Sequence, residues 1–513
     1  MSSQWTDEQM EAISCRGGNL LVSAAAGAGK TSVLVERIIR RITCRDNPVD
    51  VDRLLVVTFT NAAAAEVRER IGRALAGEIA RHPGLNFLPK QQSLLGRACI
   101  STLHSFCLDL LRQHFYRIDL DPAFRVADET EATLIQAGAL EELFEQHYAA
   151  GENPSFTALV DCYGGKRDDA ALQELVMEAY KFARSTPFPE SWLQSLAGDY
   201  NLPEDASLDE LPWCCILKRA LAIELAGALA VLDLALKIAC GPGGPEVYCS
   251  NLEADREMVS LLNQACAANT PWADLHTSFK QAGFGRLKRL KKGEAEQQLA
   301  EQVKNLRDTA KKKVNGLVKT YFTRQPEEIR ADLRKVAPLI EEYAALVLGF
   351  GESYRKAKAA RGVVDFSDLE HYALQILTEQ GPQGPLPSPV ALEMRQRFEE
   401  VLVDEYQDTS AVQEAILQLV SRQGEDRPNL FMVGDVKQSI YRFRLADPGL
   451  FLKKYTDYPT MRGGLERRLD LAKNFRSRRG IVNAVNFIFR QLMTPVVGEM
   501  AYDAGAELIY GAG

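Results

Sequence analysis

Residues 24–31 read Ala24-Ala25-Ala26-Gly27-Ala28-Gly29-Lys30-Thr31. This stretch follows the strand-like run Asn19–Ser23 and precedes the helical pattern Ser32–Ile42. The arrangement matches GxxxxGK[ST], except that Ala24 replaces the first glycine. Small residues let backbone N–H groups approach phosphate oxygens, and the N-terminus of the next helix attracts anions. The stretch predicts a phosphate-binding loop in which Lys30 reaches the β- and γ-phosphates and Thr31 ligates Mg²⁺. A chance turn of small residues is the alternative, and the strand–loop–helix context argues against it.

Strand-like and helical patterns alternate on both sides of this loop. Arg53–Thr58 has the β-branched, apolar character of a strand, and Ala62–Leu75 has the spacing of a helix. The same alternation of strand and helix patterns occurs from about residue 365 to 490, with strand patterns at Phe398–Val403 and Leu430–Val433. Alternating strands and helices predict a parallel sheet with helices on its faces, and therefore an α/β fold.

A long helical region separates the two α/β stretches. Residues 126–364 are rich in Ala, Leu, Glu and Lys at helical spacing and contain few strand-like runs. We predict an all-helical domain at 126–364, inserted into an α/β domain that is formed by residues 1–125 and 365–495. Residues 496–513 are predicted to begin a further region.

Composition limits the classes of function. The 513 residues carry a formal net charge of −8, which does not exclude nucleic-acid binding because a long chain can concentrate Lys and Arg along one groove. The ten cysteines form no CxxC pair, so a zinc or iron–sulfur site is not expected and free thiols are. Apolar runs such as Leu20–Ala26 are too short to span a bilayer, so no membrane contact is predicted.

A second chemical signal follows the strand pattern near residue 400. Val401-Leu402-Val403-Asp404-Glu405 places two carboxylates directly after an apolar run. In an enzyme with a phosphate-binding loop, the first carboxylate holds Mg²⁺ and the second orients or deprotonates the attacking water. An ordinary acidic loop is the alternative, since Asp and Glu commonly end strands. The phosphate-binding loop in the same chain favours the catalytic interpretation.

The residues Asp404-Glu405-Tyr406-Gln407-Asp408 resemble the DExQD motif of superfamily 1A helicases, the group of UvrD, Rep and RecB. Further motifs occur in the order of that group, and they are Trp5-Thr6-Asp7-Glu8-Gln9, Thr58-Phe59-Thr60-Asn61-Ala62-Ala63, Ser101-Thr102-Leu103-His104-Ser105-Phe106, Gly434–Arg444 and Asn474-Phe475-Arg476-Ser477. Within the group, WTDEQMEAI, STLHSFC, VDFSDLEHYAL and KQSIYRFRLADPGLF look most like AddA-type subunits of bacterial helicase–nuclease complexes. The resemblance implies a RecA-like motor domain that uses ATP and Mg²⁺.

The resemblance also implies roles around the nucleotide. Gln9 would read the edge of adenine, and Phe475, where relatives often carry Tyr, would stack on the ring, whereas Ser32 replaces an Arg of several relatives. Gln438 would sense the γ-phosphate, and Arg476 would act as a cis arginine finger. The implied nucleotide-binding set is Gln9, Ala24, Ala25, Ala26, Gly27, Ala28, Gly29, Lys30, Thr31 and Phe475. Beside it stand the catalytic set Glu405, Gln438, Arg476 and Lys30, and the Mg²⁺ ligands Thr31 and Asp404.

Tracking along DNA of any sequence favours aromatic stacking together with backbone contacts. By resemblance, the stacking candidates are Phe59, Tyr441 and Phe443, the last in place of a Trp common in relatives. Candidate contacts to sugar, phosphate or base are Asn61, Thr102, His104 and Arg444. The alternative for each aromatic is core packing, and for His104 it is a structural hydrogen bond.

The predicted insertion carries many basic residues, namely Lys280, Arg286, Lys288, Arg289, Lys291, Lys292, Lys304, Arg307, Lys311, Lys312 and Lys313. One hypothesis is a face that grips duplex DNA. The alternative is a solvated helix face on which nearby Glu side chains pair with the Lys side chains. The sequence leaves both open.

Taken together, the resemblance implies an ATP-dependent 3′→5′ DNA helicase subunit that acts in double-strand-break repair and homologous recombination. It would be cytoplasmic and act on single-stranded and duplex DNA in a heterodimer with an AddB-like subunit. Motifs of a second RecA-like domain and of a nuclease domain are not found, so we expect the 513-residue chain to bind nucleotide weakly and not to translocate. The alternatives are a repair helicase outside such a complex, an ATP-binding scaffold, and a small-molecule kinase.

Overall fold

The computed structural model describes residues 5–151, 153–165, 168–198, 200–203, 206–291, 295–381 and 384–511. The strands are β1 (Asn19–Ala24), β2 (Leu54–Thr58), β3 (Cys99–Thr102), β4 (Arg125–Val126), β5 (Val363–Val364), β6 (Thr378–Gly381), β7 (Gly384–Pro387), β8 (Glu400–Val403), β9 (Leu430–Gly434), β10 (Glu466–Leu471), β11 (Lys473–Asn474) and β12 (Ile509–Tyr510).

Helices connect these strands. In chain order they are α1 (Asp7–Ser14), α2 (Lys30–Ile42), α3 (Asn61–Arg81), α4 (Phe87–Leu94), α5 (Leu103–His114), α6 (Glu129–Ala149), α7 (Pro154–Tyr163), α8 (Ala170–Ala183), α9 (Pro189–Ser195), α10 (Pro212–Ala239), α11 (Cys249–Ala267), α12 (Trp272–Gln281), α13 (Gln297–Tyr321), α14 (Pro326–Ala360), α15 (Phe366–Leu377), α16 (Pro389–Arg397), α17 (Ala411–Val420), α18 (Pro448–Asp457) and α19 (Arg479–Leu492).

A parallel sheet organises the part of the chain that contains the predicted phosphate-binding loop. In the described residues it has six strands in the order β10-β1-β9-β8-β2-β3, and every neighbouring pair is parallel. The carboxyl ends of all six strands therefore lie at one edge of the sheet. Open α/β sheets bind their ligands at that edge. The loops that follow β1, β2, β3, β8, β9 and β10 are consequently the place to look for a functional site.

Alternating side chains of the strands build a core on each face of the sheet. Leu21 and Met432 belong to the face that is covered by α5, α15, α16 and α17. Leu20, Val22 and Phe431 belong to the opposite face, which α1, α2 and α3 cover. Burying one side chain of this size stabilises the fold by roughly 1.5–3 kcal/mol. The central strands are apolar on both faces because both faces are covered.

The prediction of a parallel α/β sheet is confirmed, as are the helices and strands predicted around the phosphate-binding loop. The predicted strand Phe398–Val403 begins later, at Glu400, because Phe398 caps the C-terminus of α16 and is buried there. Two strands that the sequence patterns did not reveal, β3 and β10, are the edge strands of the sheet. The β10 sequence, Glu466–Leu471, alternates charged and apolar residues and lacks the continuous apolar run of a central strand.

The chain divides into two compact units. The first unit contains the sheet and comprises Met1–Gly151, Ala170–Trp192 and Val347–Gly513. The second comprises Glu152–Asp169 and Leu193–Leu346, and the regular elements among its described residues are helices. Within it, α10 packs against α11 and α13 around a core that includes Leu225, Val259 and Val303. The boundaries of an insertion at residues 126 and 364 stay a prediction.

Two features of the second unit correct the expectations from sequence. Cys240, which ends α10, and Cys249, which begins α11, form a disulfide where free thiols were expected, because the turn between them brings the two sulfurs together. Arg307 is buried in an ion pair with Asp255, at 2.6 Å from Nε to Oδ2, so it is not part of a DNA-gripping face. Lys313 pairs with Glu224, and Lys292 lies outside the described residues.

A search of the described residues finds no helix with the length and apolar character needed to cross a membrane.

Candidate functional site

The phosphate-binding loop joins β1 to α2 at the carboxyl edge of the sheet. Gly27 and Gly29 adopt positive φ angles of 71° and 83°, which glycine reaches without steric cost. A Cβ on Gly27 would lie 2.9 Å from Cβ of Arg476, so the loop needs glycine for space as well. No side chain caps the N-terminus of α2, and the first N–H groups of a helix have no intrahelical acceptor. The loop therefore presents free N–H groups to an anion such as phosphate.

The two predicted carboxylates stand beside this loop. Lys30 Nζ lies 2.9 Å from Glu405 Oε2, an ion pair that joins α2 to the end of β8. Glu405 has a φ of 50°, a left-handed conformation that costs free energy in a non-glycine residue and is common at functional sites. Asp404 is buried, and burial together with the charge of Glu405 raises the pKa of Asp404 to about 6. A cation beside Asp404 would relieve that cost.

These residues fit a Mg²⁺ ion that is bound together with nucleotide phosphates. Mg²⁺ takes oxygen ligands, keeps several waters and usually needs only one or two protein ligands when phosphates supply the others. Thr31 offers a hydroxyl in the first turn of α2, and Asp404 offers a buried carboxylate at the end of β8. In the described ranges no three His, Cys, Asp or Glu residues cluster as a self-sufficient metal site. The donor set thus suits a phosphate-bound ion rather than a structural one.

Asp404 provides a stability test of this arrangement. Because its folded-state pKa of about 6 exceeds the ordinary value of 3.8, the folded chain loses stability as pH rises from about 4 to about 6. We expect Asp404→Asn to remove this loss and to stabilise the first unit by about 3 kcal/mol above pH 7. The measurement is hydrogen exchange of β8 amides under increasing urea, without Mg²⁺ or nucleotide.

The matched control is Asp46→Asn, which removes a carboxylate at an exposed position and is expected to change nothing. A loss of stability in Asp404→Asn above pH 7 would show that the buried carboxylate is compensated in the free chain. In that case the site would not be poised for a cation.

Gln9 is hydrogen-bonded to the phosphate-binding loop. Its Nε2 donates to the backbone oxygen of Ala28 at 3.0 Å, and its Oε1 accepts from the N–H of Thr6 at 3.0 Å. The second contact completes a capping box at the start of α1. Both ends of the amide are thereby tied to the loop and to the helix. Its contact with adenine stays a prediction.

The segment after β10 packs directly on the phosphate-binding loop. Asn474 Nδ2 donates to the backbone oxygen of Ala26 at 2.7 Å, and the N–H of Phe475 donates to the oxygen of Gly27 at 3.0 Å. Phe475 and Arg476 are exposed beside the loop. Asn474 was not among the predicted site residues, although it lies in the quoted motif. Its side chain holds the loop backbone at Ala26, as that of Gln9 holds it at Ala28.

The loop after β9 brings Gln438 to the same edge. Gln438 Nε2 donates to Asp435 Oδ2 at 2.7 Å, and Lys437 Nζ lies 2.9 Å from Asp435 Oδ1. Asp435 itself is buried. The carboxylate of Asp435 therefore organises the start of this loop, and the γ-phosphate contact of Gln438 stays a prediction.

An aromatic cluster is formed by the loops that follow β2 and β9 at the same edge of the sheet. The rings of Phe59 and Tyr441 are 4.6 Å apart between centroids, and those of Tyr441 and Phe443 are 5.8 Å apart. The guanidinium of Arg444 lies 5.4 Å from the Tyr441 ring and 5.7 Å from the Phe443 ring. Phe443 is 75% exposed, which core packing does not explain. The structure thus brings together the three predicted stacking residues and one predicted cation.

The remaining predicted contacts surround the N-termini of two helices. Asn61 is exposed in the first turn of α3, and the Thr102 hydroxyl caps α5 by accepting from the N–H of Ser105. His104 Nε2 lies 3.1 Å from Glu370 Oε1. Burial would lower the pKa of His104, but the hydrogen bond and the charge of Glu370 outweigh burial and raise it. A structural partner for His104 therefore exists, in line with the alternative that the sequence left open.

Phe366 is an exposed aromatic residue that was not among the predicted DNA contacts. The ring of Phe366 stands edge-on to His104, at 5.5 Å between centroids, and Phe366 is 55% exposed. It begins α15 in the quoted phrase VDFSDLEHYAL, and its exposure is the signal that the sequence alone did not provide. Its place beside His104 makes it a further candidate for contact with a base.

The chain is similar along its whole length to proteins of one helicase family. Residues 5–459 match the family model of the UvrD/REP helicase N-terminal domain. A protein of Pelotomaculum thermopropionicum, named as an ATP-dependent helicase/nuclease subunit, is 64% identical over the whole chain, which covers 40% of that relative. Proteins of the same name are 50% identical in Geobacillus kaustophilus and 51% identical in Desulforudis audaxviator, where 99% of the chain covers 41% and 42% of the relatives. The chain thus spans about two fifths of the length of these curated relatives.

Proposed function

Because the chain belongs to the family of the UvrD/REP helicase N-terminal domain, we propose that it binds ATP with Mg²⁺ and contacts single-stranded DNA as part of a helicase that couples ATP hydrolysis to movement on that strand. The observation that carries the proposal is the shared loop between β9 and α18. Its first part holds Gln438 beside the nucleotide side of the sheet, and its second part holds Tyr441 and Phe443 in the aromatic cluster. Because Gln438 and Tyr441 are only a few residues apart, a displacement of one of them is expected to move the other.

Each side chain of the candidate site would have its own role in phosphoryl transfer. Lys30 would leave Glu405 and compensate the charge of the phosphates, which frees the Glu405 carboxylate to accept a proton from water. Thr31 and Asp404 would hold Mg²⁺, which neutralises charge on the transferring phosphoryl group. Gln438 and Arg476 would stabilise that charge further, while Phe475 and Gln9 would hold the base. Phosphoryl transfer needs mainly positioning and charge stabilisation, which this set supplies.

The finer proposal concerns the biological setting. The relatives are named as subunits of an ATP-dependent helicase/nuclease, so we assign the chain to such a complex with an AddB-like partner. We further propose 3′→5′ polarity, a role in double-strand-break repair and homologous recombination, and a cytoplasmic location. Residues 126–364 would form a helical insertion in this motor domain. These proposals rest on family resemblance and on the names of the relatives.

ATP hydrolysis with and without DNA tests the central proposal. We expect single-stranded oligo(dT) to accelerate slow, single-turnover hydrolysis by the chain, although the 513-residue chain is not expected to translocate. Duplex DNA of the same length should accelerate hydrolysis less, because bases must be unstacked to reach the aromatic cluster. Nucleotide binding without any effect of oligo(dT) would contradict the motor and favour an ATP-binding scaffold. Turnover of a small-molecule phosphate acceptor would favour a kinase.

Phe443 tests the DNA side of the site independently of hydrolysis. Stacking of one base on an aromatic ring contributes about 1–3 kcal/mol, so Phe443→Ala is expected to weaken oligo(dT) binding by about 5- to 150-fold. The salt dependence should stay the same because phosphate contacts are not removed. Fluorescence anisotropy of a labelled oligonucleotide at several salt concentrations measures both quantities.

The control for this variant is Phe487→Ala, which removes another exposed aromatic ring, on α19 and outside the cluster. It is expected to leave oligo(dT) affinity unchanged. Equal losses in the two variants would mean that the cluster does not stack bases.

A further inference from the structure

One buried amide connects the candidate base to the loop that carries the aromatic residues. Gln407 is 1% exposed and follows Glu405 by two residues. Its Nε2 donates to Glu405 Oε2 at 2.8 Å and to Asp408 Oδ2 at 3.1 Å. Its Oε1 accepts from the N–H of Asp435 at 2.9 Å. Both N–H donors of the amide and one of the two lone pairs of its oxygen are therefore used, and the carboxylates on one side and the N–H on the other fix its orientation.

Two further features hold this amide in place. The backbone oxygen of Gln407 accepts from the hydroxyl of Ser439, at 3.5 Å, in the same loop as Gln438 and Tyr441. At Gly434, the last residue of β9, an added Cβ would collide with Gln407 Oε1. Glycine at this strand end therefore leaves the space that the amide oxygen needs. The loop after β8 and the loop after β9 thus meet at Gln407, through its side chain and its backbone oxygen.

We propose that Gln407 is a positioning residue that holds the Glu405 carboxylate in register with the loop from Asp435 to Arg444. When bases or phosphate move that loop, the N–H of Asp435 moves against Gln407 Oε1, and Nε2 carries the displacement to Glu405. The inference rests on the proposed function, because it assigns Glu405 the role of proton acceptor. It adds a route by which contact with DNA changes the position of the Glu405 carboxylate, the proposed proton acceptor.

The charges around Glu405 make this link measurable. Lys30 faces it from α2, Asp404 and Asp408 face it from its own loop, and Asp435 with Lys437 lies across Gln407. Burial and the charge of Glu405 raise the pKa of Asp408 to about 6, and the hydrogen bond from Gln407 opposes that rise. Changing the amide to a carboxylate would remove the donor and add a third negative charge beside Glu405 and Asp408. Like charges disfavour ionisation of their neighbours.

The experiment is single-turnover hydrolysis of labelled ATP by the 513-residue chain in excess, across pH and with or without oligo(dT). In Gln407→Glu, we expect the acidic limb of the rate profile to move up by about one pH unit, while the half-saturating ATP concentration changes less than about threefold. In Gln407→Met, which adds no charge, we expect the limb to stay and the stimulation by oligo(dT) to fall to near unity. A purely structural role would not separate these two effects.

The matched control is Gln418→Glu. Gln418 Nε2 donates to Glu414 Oε1 at 2.9 Å within α17, so the same amide-to-carboxylate change occurs beside a glutamate outside the site. Its profile and its stimulation should match those of the unchanged chain. Thermal unfolding of each variant is measured first. If Gln407→Glu does not fold, the effect of oligo(dT) on hydrolysis by the uncharged Gln407→Met variant serves as the test.

The outcomes separate the inference from the proposed function. If the unchanged chain is stimulated by oligo(dT) and both Gln407 variants behave like it, the inference is overturned and the motor proposal stands. If DNA has no effect on any form but Gln407→Glu still shifts the acidic limb, the motor proposal is overturned and the positioning of Glu405 by Gln407 is supported. If the unchanged chain hydrolyses no ATP, both are overturned, because Gln407 then has no base to position.

Discussion

Replacing Arg37 by alanine will lower the free energy of unfolding of the first unit by about 3–5 kcal/mol. Arg37 is on α2, is 2% exposed, and its side chain reaches Glu400 on β8 of the sheet. Its Nε donates to Glu400 Oε1 at 2.8 Å, its Nη1 donates to the backbone oxygen of Ala12 at 2.7 Å, and its guanidinium lies 4.5 Å from the Phe431 ring centroid. Alanine would leave the Glu400 carboxylate buried without its countercharge. Hydrogen exchange of β1 and β8 amides under increasing urea measures the loss.

A neighbouring pair on the same helix provides the control. Arg40 pairs with Glu36 at 2.8 Å near the surface, one turn further along α2. Exposed pairs at this spacing contribute about 0.3–0.5 kcal/mol, so Arg40→Ala should change little. A loss below about 1 kcal/mol in Arg37→Ala would mean that water or rearrangement solvates Glu400, against the rule for buried ion pairs. The double variant Arg37→Met with Glu400→Gln is expected to recover much of the lost stability.

Replacing Lys30 by alanine will weaken binding of Mg²⁺ with a slowly hydrolysed ATP analogue by about 100- to 1000-fold. In the free chain the ammonium of Lys30 lies 2.9 Å from Glu405 Oε2. When phosphate oxygens replace Glu405, Lys30 makes charge-assisted hydrogen bonds that contribute about 1.5–3 kcal/mol each. Without Lys30, the charges of Glu405 and Asp404 repel the phosphates as well. Isothermal titration calorimetry with ATPγS and Mg²⁺ measures the change.

The control is Lys90→Ala. Lys90 pairs with Asp50 at 2.8 Å on an exposed part of the first unit, so the variant removes an equal charge away from the phosphate-binding loop. Its affinity for the analogue should stay within twofold of the unchanged value. If Lys30→Ala also stayed within about threefold, the loop between β1 and α2 would not be the phosphate site, and the proposed function would lose its basis.

The sequence determined those features whose signal lies within a few consecutive residues. The glycines and Lys30 of the loop, the apolar runs of β1, β2, β8 and β9, and the carboxylates after β8 could all be read locally, because backbone conformation and strand burial impose short-range patterns. The edge strands β3 and β10 were not predicted because only some of their residues are buried, so neither strand carries a continuous apolar run.

Contacts between side chains that are distant in sequence depend on the tertiary structure. Lys30 and Glu405 are 375 residues apart, and Arg37 and Glu400 are 363 apart, yet each pair is in contact. Phe59 and Tyr441 likewise meet from opposite ends of the chain. Such neighbours depend on the spatial order of the parallel strands, which no local pattern specifies. For the same reason the sequence could not separate Arg307 from the other basic residues of the insertion, and it carried no sign that Gln407 joins Glu405 to Asp435.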